Sequence, residues 1–236
     1  MSETQADLLE RRSVQIVGGA ALVVLGGLLV HALIPEPHID DHHHPIVGDV
    51  LVNKAAGERV VFRAVPKPNE EGPTRIDVHL APGGAVPVAH VHPETEEVFK
   101  VIQGTVYLVV DGERRLAKAG DSVTVLAGQS HGLWNGADQP AHVQVDMKPT
   151  RGLDLALTQV HGFLNETGQQ GGLGEFLQMA RFAERYEVYR AGPPIWFQQF
   201  GIALVAPWAR LVGFRSFYER YAKDARQRNS VHEETP

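Results

Sequence analysis

The stretch from Gly84 to Asn135, GAVPVAHVHPETEEVFKVIQGTVYLVVDGERRLAKAGDSVTVLAGQSHGLWN, decides the fold. It contains a histidine pair, His90 and His92, which Glu97 follows along the chain. Side chains two residues apart on a β-strand point to the same face, so the two imidazoles form a chelating pair. Glu97 would lie on the opposite face of an unbroken strand. Pro93 therefore predicts a turn, after which Glu97 begins a neighbouring strand that faces inward.

The second half of the stretch brings a third imidazole back toward the first pair. Asp111-Gly112 predicts a two-residue hairpin between two alternating segments. Further turns at Gly120 and Gly128 let His131 arrive on a strand that returns toward the histidine pair. Three neutral imidazoles and one carboxylate suit iron, manganese, nickel, copper or zinc, and four protein ligands leave open positions on an octahedral ion. We therefore expect one divalent transition metal as cofactor.

The glycines, histidines and glutamate of this stretch resemble the two conserved motifs of the cupin superfamily. The matching positions are Gly84, His90, His92, Glu97 and Gly104 in the first motif and Gly120, Gly128, His131 and Asn135 in the second. Glu96 also fits the loose spacing from the histidines, but only Glu97 stands seven residues before Gly104. Leu126 departs from the pattern, because the family usually has proline there. The resemblance covers about residues 45–149.

This resemblance implies a mainly β protein with a single jelly-roll β-barrel, and the metal ligands His90, His92, Glu97 and His131. It also implies a small-molecule ligand or substrate and a homodimer formed through sheet edges. The alternative is that the histidines are hydrogen-bonded core residues of a barrel without metal. His79 is expected to point outward from its strand.

Three aromatic residues are candidates to line a substrate pocket inside the barrel: Phe99, Tyr107 and Trp134. Aromatic side chains in small barrels are equally explained as plain core. The other predicted strands lie near both ends of the barrel. They are Asp49–Asn53, Arg59–Ala64, Arg75–Leu80 and Ala141–Met147.

The N-terminal segment predicts a membrane helix. Residues 1–15 are polar, and residues 16–34 are apolar apart from His31, which is nearly long enough as a helix for a hydrocarbon core of ~30 Å. Arg11-Arg12 favours a cytoplasmic N-terminus and an extracytoplasmic barrel. The alternatives are a signal peptide whose cleavage releases a secreted protein, and a buried helix of a soluble protein.

Residues 35–45 are predicted to be a linker, which contains the run His42-His43-His44. This run is either a solvated spacer or a transient metal-binding segment that feeds the barrel. Residues 46–149 form the predicted barrel, and residues 150–236 form a helical region with predicted helices at Leu153–Leu164 and Glu175–Val188. Ile195–Phe214 is predicted to be an interfacial or core-packed helix. Basic and aromatic residues from Arg210 to Arg228 suit an anionic lipid surface.

Composition excludes some classes of function. The formal charge of −6 argues against nucleic acid as a partner of the whole protein, and the chain has no cysteine for disulfides or thiol chemistry. The pattern predicts a membrane-anchored, metal-binding cupin protein that is an oxidoreductase of dioxygenase type. The alternatives are a ligand-binding or sensing module without catalysis, and a metal-dependent isomerase that needs a histidine or tyrosine base near the ion.

Overall fold

Two antiparallel β-sheets share one apolar core in the middle of the chain. The computed structural model describes residues 3–67, 70, 72–86, 88–168 and 171–222. The strands are β1 (Val50–Asn53), β2 (Glu58–Ala64), β3 (Thr74–Leu80), β4 (His90–Val91), β5 (Glu96–Gln103), β6 (Thr105–Val110), β7 (Glu113–Lys118), β8 (Ser122–Val125), β9 (Ser130–Trp134), β10 (Ala141–Lys148) and β11 (Tyr189–Arg190). One sheet has the order β1-β2-β3-β10-β5-β8, and the other has the order β11-β4-β9-β6-β7.

Alternation of side chains along the strands places the core between the sheets. Phe62 and Val143 from the first sheet are fully buried, and Leu108 and Leu133 from the second sheet belong to the same cluster. Strands that are distant in sequence are neighbours, such as β3 with β10 and β5 with β10. The predicted fold class, a mainly β jelly-roll barrel with helices at both ends, is confirmed.

The predicted hairpin at Asp111-Gly112 joins β6 to β7, with Val110 paired to Glu113. Both turn residues have positive φ, 48° for Asp111 and 82° for Gly112, which is the conformation that a two-residue hairpin of this kind requires. The Asp111 carboxylate also accepts a hydrogen bond from the backbone N–H of Ser130 at 2.8 Å. This bond ties the hairpin to the start of β9, the strand that carries His131.

Gly104 separates β5 from β6 and has no room for a side chain. Its φ is +79°, and a Cβ atom there would lie 2.8 Å from the backbone oxygen of Pro140. We expect Gly104→Ala to lower the free energy of unfolding by about 1–3 kcal/mol, because a non-glycine residue is strained in this conformation. Gly112→Ala is the matched control, since Gly112 has φ +82° but open space around its Cα. Urea unfolding should show the larger loss for Gly104→Ala, and equal losses would contradict the steric part of the argument.

The described residues contain four α-helices outside the sheets: α1 (Glu3–Leu33), α2 (Leu153–Thr167), α3 (Gly172–Tyr186) and α4 (Ile195–Leu211). Helix α2 packs on β1, α3 packs on α2 and α4, and α4 packs on α1. The helix predicted over Glu175–Val188 is α3, which starts and ends earlier than expected. It ends before Glu187 because this residue adopts a left-handed conformation. The predicted basic stretch to Arg228 continues past residue 222, and that part lies outside the described residues.

Two histidines of the run between α1 and the barrel are docked on the helical region. A 3-10 turn over Asp41–His43 buries His43, whose ring centroid lies 5.0 Å from that of Phe217. His44 Nδ1 lies 2.5 Å from a carboxylate oxygen of Asp154 in α2. The interpretation as a solvated spacer is therefore wrong for these two residues, because tertiary contacts far along the chain order them. Metal delivery by the run stays a prediction.

Candidate metal centre

The four predicted donors meet between the two sheets. His90 lies on β4 and His131 lies opposite it on β9, while Glu97 is the second residue of β5 in the other sheet. Pro93 and the two residues after it carry the chain from one sheet to the other, which is why an odd spacing still places Glu97 beside the histidines. Donor atoms of His90, His92, Glu97 and His131 all lie within 4.8 Å of one another.

Backbone carbonyls fix the tautomers of two of the rings. His90 Nδ1 lies 2.8 Å from the carbonyl oxygen of Val88, and His131 Nδ1 lies 3.4 Å from that of Gln129. A carbonyl oxygen only accepts hydrogen bonds, so each Nδ1 carries the proton and donates it. In the neutral ring of His90 this leaves Nε2 without a proton, while Nε2 of His131 faces the Glu97 carboxylate. Hydrogen bonds from the far side of the ring orient histidine ligands in metal sites in this way.

Several buried polar atoms at this point have no hydrogen-bond partner in the described part of the chain. They are His92 Nδ1, Glu97 Oε2 and His131 Nε2. Glu97 Oε2 and His131 Nε2 lie 2.6 Å apart, but their orientation does not make a hydrogen bond. Leaving buried polar atoms unsatisfied is costly, on the order of 1–3 kcal/mol for each group. A cation held by all four side chains would satisfy Glu97 Oε2 and His131 Nε2, so the residues fit a transition metal.

Burial and the Glu97 carboxylate set the protonation states of the donors. Burial lowers the pKa of His90 to about 3 and that of His92 to about 4, so both rings are neutral at pH 7. Burial alone would raise the pKa of Glu97, but the neighbouring His131 and His92 lower it to about 2. Burial also opposes a charge on His131, yet the Glu97 carboxylate outweighs burial and raises the pKa of His131. The site thus presents an ionised carboxylate beside imidazole nitrogens, which is a hard and borderline donor set.

Only one of the three predicted pocket aromatics points into the barrel. The ring of Phe99 lies 5.7 Å from that of His131, and Phe99 is buried. Tyr107 and Trp134 stack on each other at 5.1 Å, and Arg114 lies over the Tyr107 ring. They alternate with buried neighbours on β6 and β9 and so lie on the outer face, which corrects the expectation that they line the pocket. Substrate contact by Phe99 stays a prediction.

The strands beside Glu97 and His131 place apolar side chains next to these two donors. Glu97 is paired across its two neighbouring strands with Val125 and Met147, and His131 is paired with Val110 on β6. All three of these neighbours are buried. The surroundings of the other two donors are more polar, because Arg190 pairs with His90 and the buried hydroxyl of Tyr186 lines a small cleft with His92.

A second polar cluster lies on the outer face of the six-stranded sheet. The rings of His79 and His142 stack at 4.3 Å, and His142 Nε2 lies 3.3 Å from Asp77 Oδ1. Arg63 donates to Asp77 Oδ2 at 2.6 Å, and Gln144 donates to Oδ1 at 3.3 Å. Both carboxylate oxygens of Asp77 therefore already have protein donors. The outward position expected for His79 is correct. The hydrogen bonds of Asp77 could not be predicted from the sequence, because they depend on the register in which β3 pairs with β10.

Asp77 gives the fold a dependence on pH. Burial alone would raise the pKa of Asp77, but its hydrogen bonds from Arg63 and Gln144 and the nearby ring of His142 lower the pKa. A lowered pKa stabilises the fold above the unfolded value of about 3.9, and this stabilisation is lost as the pH falls through the folded value. Asp77→Asn should therefore destabilise the protein at pH 7 and differ less from the wild type in acid. Urea unfolding across this range tests it, with Asp138→Asn on an exposed loop as control, and a pH-independent difference would contradict it.

Comparisons with known proteins found one family model and several solved structures that are similar to this chain. A family model described as "Cupin domain" matches residues 76–147. None of the curated proteins matches the chain. A solved structure from Thermus thermophilus is 28% identical, with a TM-score of 0.32, over 36% of this chain and 81% of that one.

Of two further solved structures, one is described as an oxalate oxidase and the other as an RmlC-like cupin. A recombinant oxalate oxidase in complex with glycolate is 24% identical, with a TM-score of 0.37, over 46% of this chain. The matched part spans 60% of that oxidase, less than two thirds of its length. An RmlC-like cupin from Shewanella frigidimarina is 18% identical, with a TM-score of 0.36, over 50% of this chain and 95% of that one.

Proposed function

Residues 76–147 are a cupin domain, and from this premise we propose that the protein is a membrane-anchored, metal-dependent oxidoreductase of dioxygenase type that acts on a small molecule. The observation that carries the proposal is the convergence of four donors on one point, where Glu97 Oε2 and His131 Nε2 are buried without hydrogen-bond partners in the described structure. His90, His92, Glu97 and His131 would hold the ion. A bound iron or manganese ion would supply redox chemistry and Lewis acidity at this point.

Each residue of the site has a separate task in this proposal. The hydrogen bonds from His90 to Val88 and from His131 to Gln129 hold the two rings in fixed orientations. Glu97 supplies a negative charge that lowers the net charge of the centre. Phe99 and the apolar neighbours of Glu97 exclude water from the interior, which strengthens electrostatic interactions there.

The side chains beside the donors bear on the alternatives. An acid–base isomerase needs a positioned histidine, tyrosine or carboxylate besides the metal ligands. Val110, Val125 and Met147 beside Glu97 and His131 transfer no protons, whereas Tyr186 lines the cleft next to His92. The apolar side chains next to Glu97 and His131 suit a binding or sensing module, so non-catalytic ligand binding is the second candidate function.

Oxygen uptake separates the two candidates. The full chain, extracted into detergent and loaded with iron(II) or manganese(II), would be incubated with a panel of small molecules in an oxygen electrode. The proposed activity predicts uptake by the loaded protein and none by a His131→Ala variant. Ligands that raise the thermal stability of the loaded protein without oxygen uptake would favour the binding module instead.

We assign the anchor to α1. Leu9–Leu33 has a mean hydropathy of 2.3, and only 6% of its most apolar stretch is buried in the protein. Among the described residues it is the one helix that is long and apolar enough to span a membrane. A signal sequence passes the same test, but the C-terminal end of α1 packs on other parts of the folded protein. Val30 is buried, and Arg210 in α4 contacts His31. These contacts favour a retained helix, and the intact mass of the membrane-extracted chain would reveal cleavage.

A further inference from the structure

We propose that α4 lies in the lipid leaflet beside α1, on the barrel side of the membrane, with its exposed apolar face in contact with acyl chains. This inference rests on the proposal that α1 spans the bilayer. It adds a second membrane contact that would fix how the barrel sits on the lipid surface.

Apolar residues without charge follow one face of α4. Trp196, Phe200, Ala203, Pro207 and Leu211 recur at steps of three or four residues, which is the period of one helix face. Trp196 is 69% exposed, Phe200 is 63% exposed and Leu211 is 52% exposed. Soluble proteins rarely leave so many large apolar side chains together in water. Tryptophan and phenylalanine on such a face are typical of helices that lie in the membrane interface.

Helix α1 contacts this same face of α4. A Cβ atom on Gly27 would lie 3.4 Å from the ring of Pro207, and one on Gly26 would lie 2.9 Å from the ring of Trp208. Small residues at such a contact let two helices approach closely. Pro207 is buried at this contact and lies in line with the exposed Phe200 and Leu211, so α1 covers one end of the apolar row and leaves the rest exposed.

The opposite face of α4 is held by protein. Ala206 and Ala209 are fully buried, and α4 packs on α3. The Gln198 side chain accepts a hydrogen bond from the backbone N–H of Arg190 and donates one to its carbonyl oxygen. Arg190 pairs with His90 across β11 and β4, so α4 is connected to a strand of the metal centre. One part of the helix surface is therefore buried against the protein, and another part leaves apolar side chains exposed.

The contact with α1 sets the depth of α4. Seven residues separate Gly26 from Leu33, which corresponds to roughly 10 Å of helix. With Leu33 at the hydrocarbon boundary, the ring of Trp208 lies about one to two turns inside it, close to the ~5–10 Å depth of interfacial helices. Arg210 lies toward the boundary, where its side chain meets His31 and Glu36 at 2.9 Å each. Its charge is thus paired with protein rather than exposed to lipid.

Single-cysteine labelling tests this placement, because the chain has no native cysteine. Phe200→Cys would carry an environment-sensitive fluorophore in the full chain, reconstituted into phosphatidylcholine vesicles. Leu25→Cys on α1 reports the proposed span, and Glu113→Cys on β7 reports water. We expect blue-shifted emission and quenching by a lipid-borne quencher at both Phe200 and Leu25, and water-like emission without such quenching at Glu113.

The three sites distinguish the possible failures. A label at Phe200 that behaves like the one at Glu113, while the one at Leu25 is in lipid, would overturn the placement of α4 and leave the anchor intact. A water-like label at Leu25 would overturn the anchor and, with it, the depth assigned to α4. Blue-shifted emission at Phe200 without lipid-borne quenching would show that protein covers the helix, which also overturns the inference. Circular dichroism of each labelled variant confirms that the fold is unchanged.

Discussion

A His131→Ala variant is expected to lose its metal. Loss of an outer hydrogen bond to a metal ligand already lowers metal affinity by roughly 10–100-fold, and removing the ligand itself should cost more. His131 is buried, faces Glu97 from the other sheet and has its Nε2 atom free of hydrogen bonds, so no nearby side chain replaces it. Metal analysis of the purified variant should show a content far below that of the wild type.

His79→Ala is the matched control for this variant. It also removes an imidazole from a β-strand, but His79 stacks on His142 on the outer face of the barrel. We expect the control to keep its metal and its oxygen-dependent activity. Equal metal content in the two variants would contradict the assignment of His131 as a ligand, provided that both keep the circular dichroism of the wild type.

A Glu36→Ala variant is expected to be strongly destabilised. The carboxylate follows α1 and receives the guanidinium of the fully buried Arg181, that of Arg210 and the hydroxyl of Ser216. Removing one partner of a buried ion pair costs about 3–5 kcal/mol, because a buried charge is left uncompensated. Glu36 is 31% exposed and Arg181 also meets Glu184, so we expect a loss near about 3 kcal/mol, the lower end of that range.

Unfolding in detergent by urea measures the loss for Glu36→Ala. Glu113→Ala is the control, since its ion pair with Arg115 lies on the surface and the Glu113 side chain is 76% exposed. Surface pairs contribute about 0–1 kcal/mol, so this variant should stay close to the wild type. Similar stabilities for the two variants would show that the contacts of Glu36 do not hold the end of α1 to α3 and α4.

Local sequence signals predicted the barrel and the convergence of the donors. The alternation of His90 and His92, the turn at Pro93 and the hairpin at Asp111-Gly112 each act over a few residues, and the structure places them as expected. The same alternation could have corrected the aromatic residues. Trp134 stands an odd number of residues after the inward His131, so strand geometry alone places it on the outer face.

Contacts between distant parts of the chain could not be predicted in this way. The His44–Asp154 pair spans 110 residues, and the Arg181–Glu36 pair spans 145. Although His44 belongs to the histidine run, nothing in the sequence near either pair indicates its partner, because the contacts depend on how the helices pack on the barrel. The apolar residues of α4 were visible in the sequence, but only the structure shows that α1 and α3 both pack on this helix.

The most direct test is metal analysis of the full chain purified from membranes, combined with X-ray absorption spectroscopy at the edge of the metal found. The four-donor site predicts a single bound transition metal whose spectrum shows imidazole ligands and, since the chain lacks cysteine, no sulfur from a thiolate. Protein that contains no transition metal as purified, and takes up none after chelation and reloading, would contradict the account.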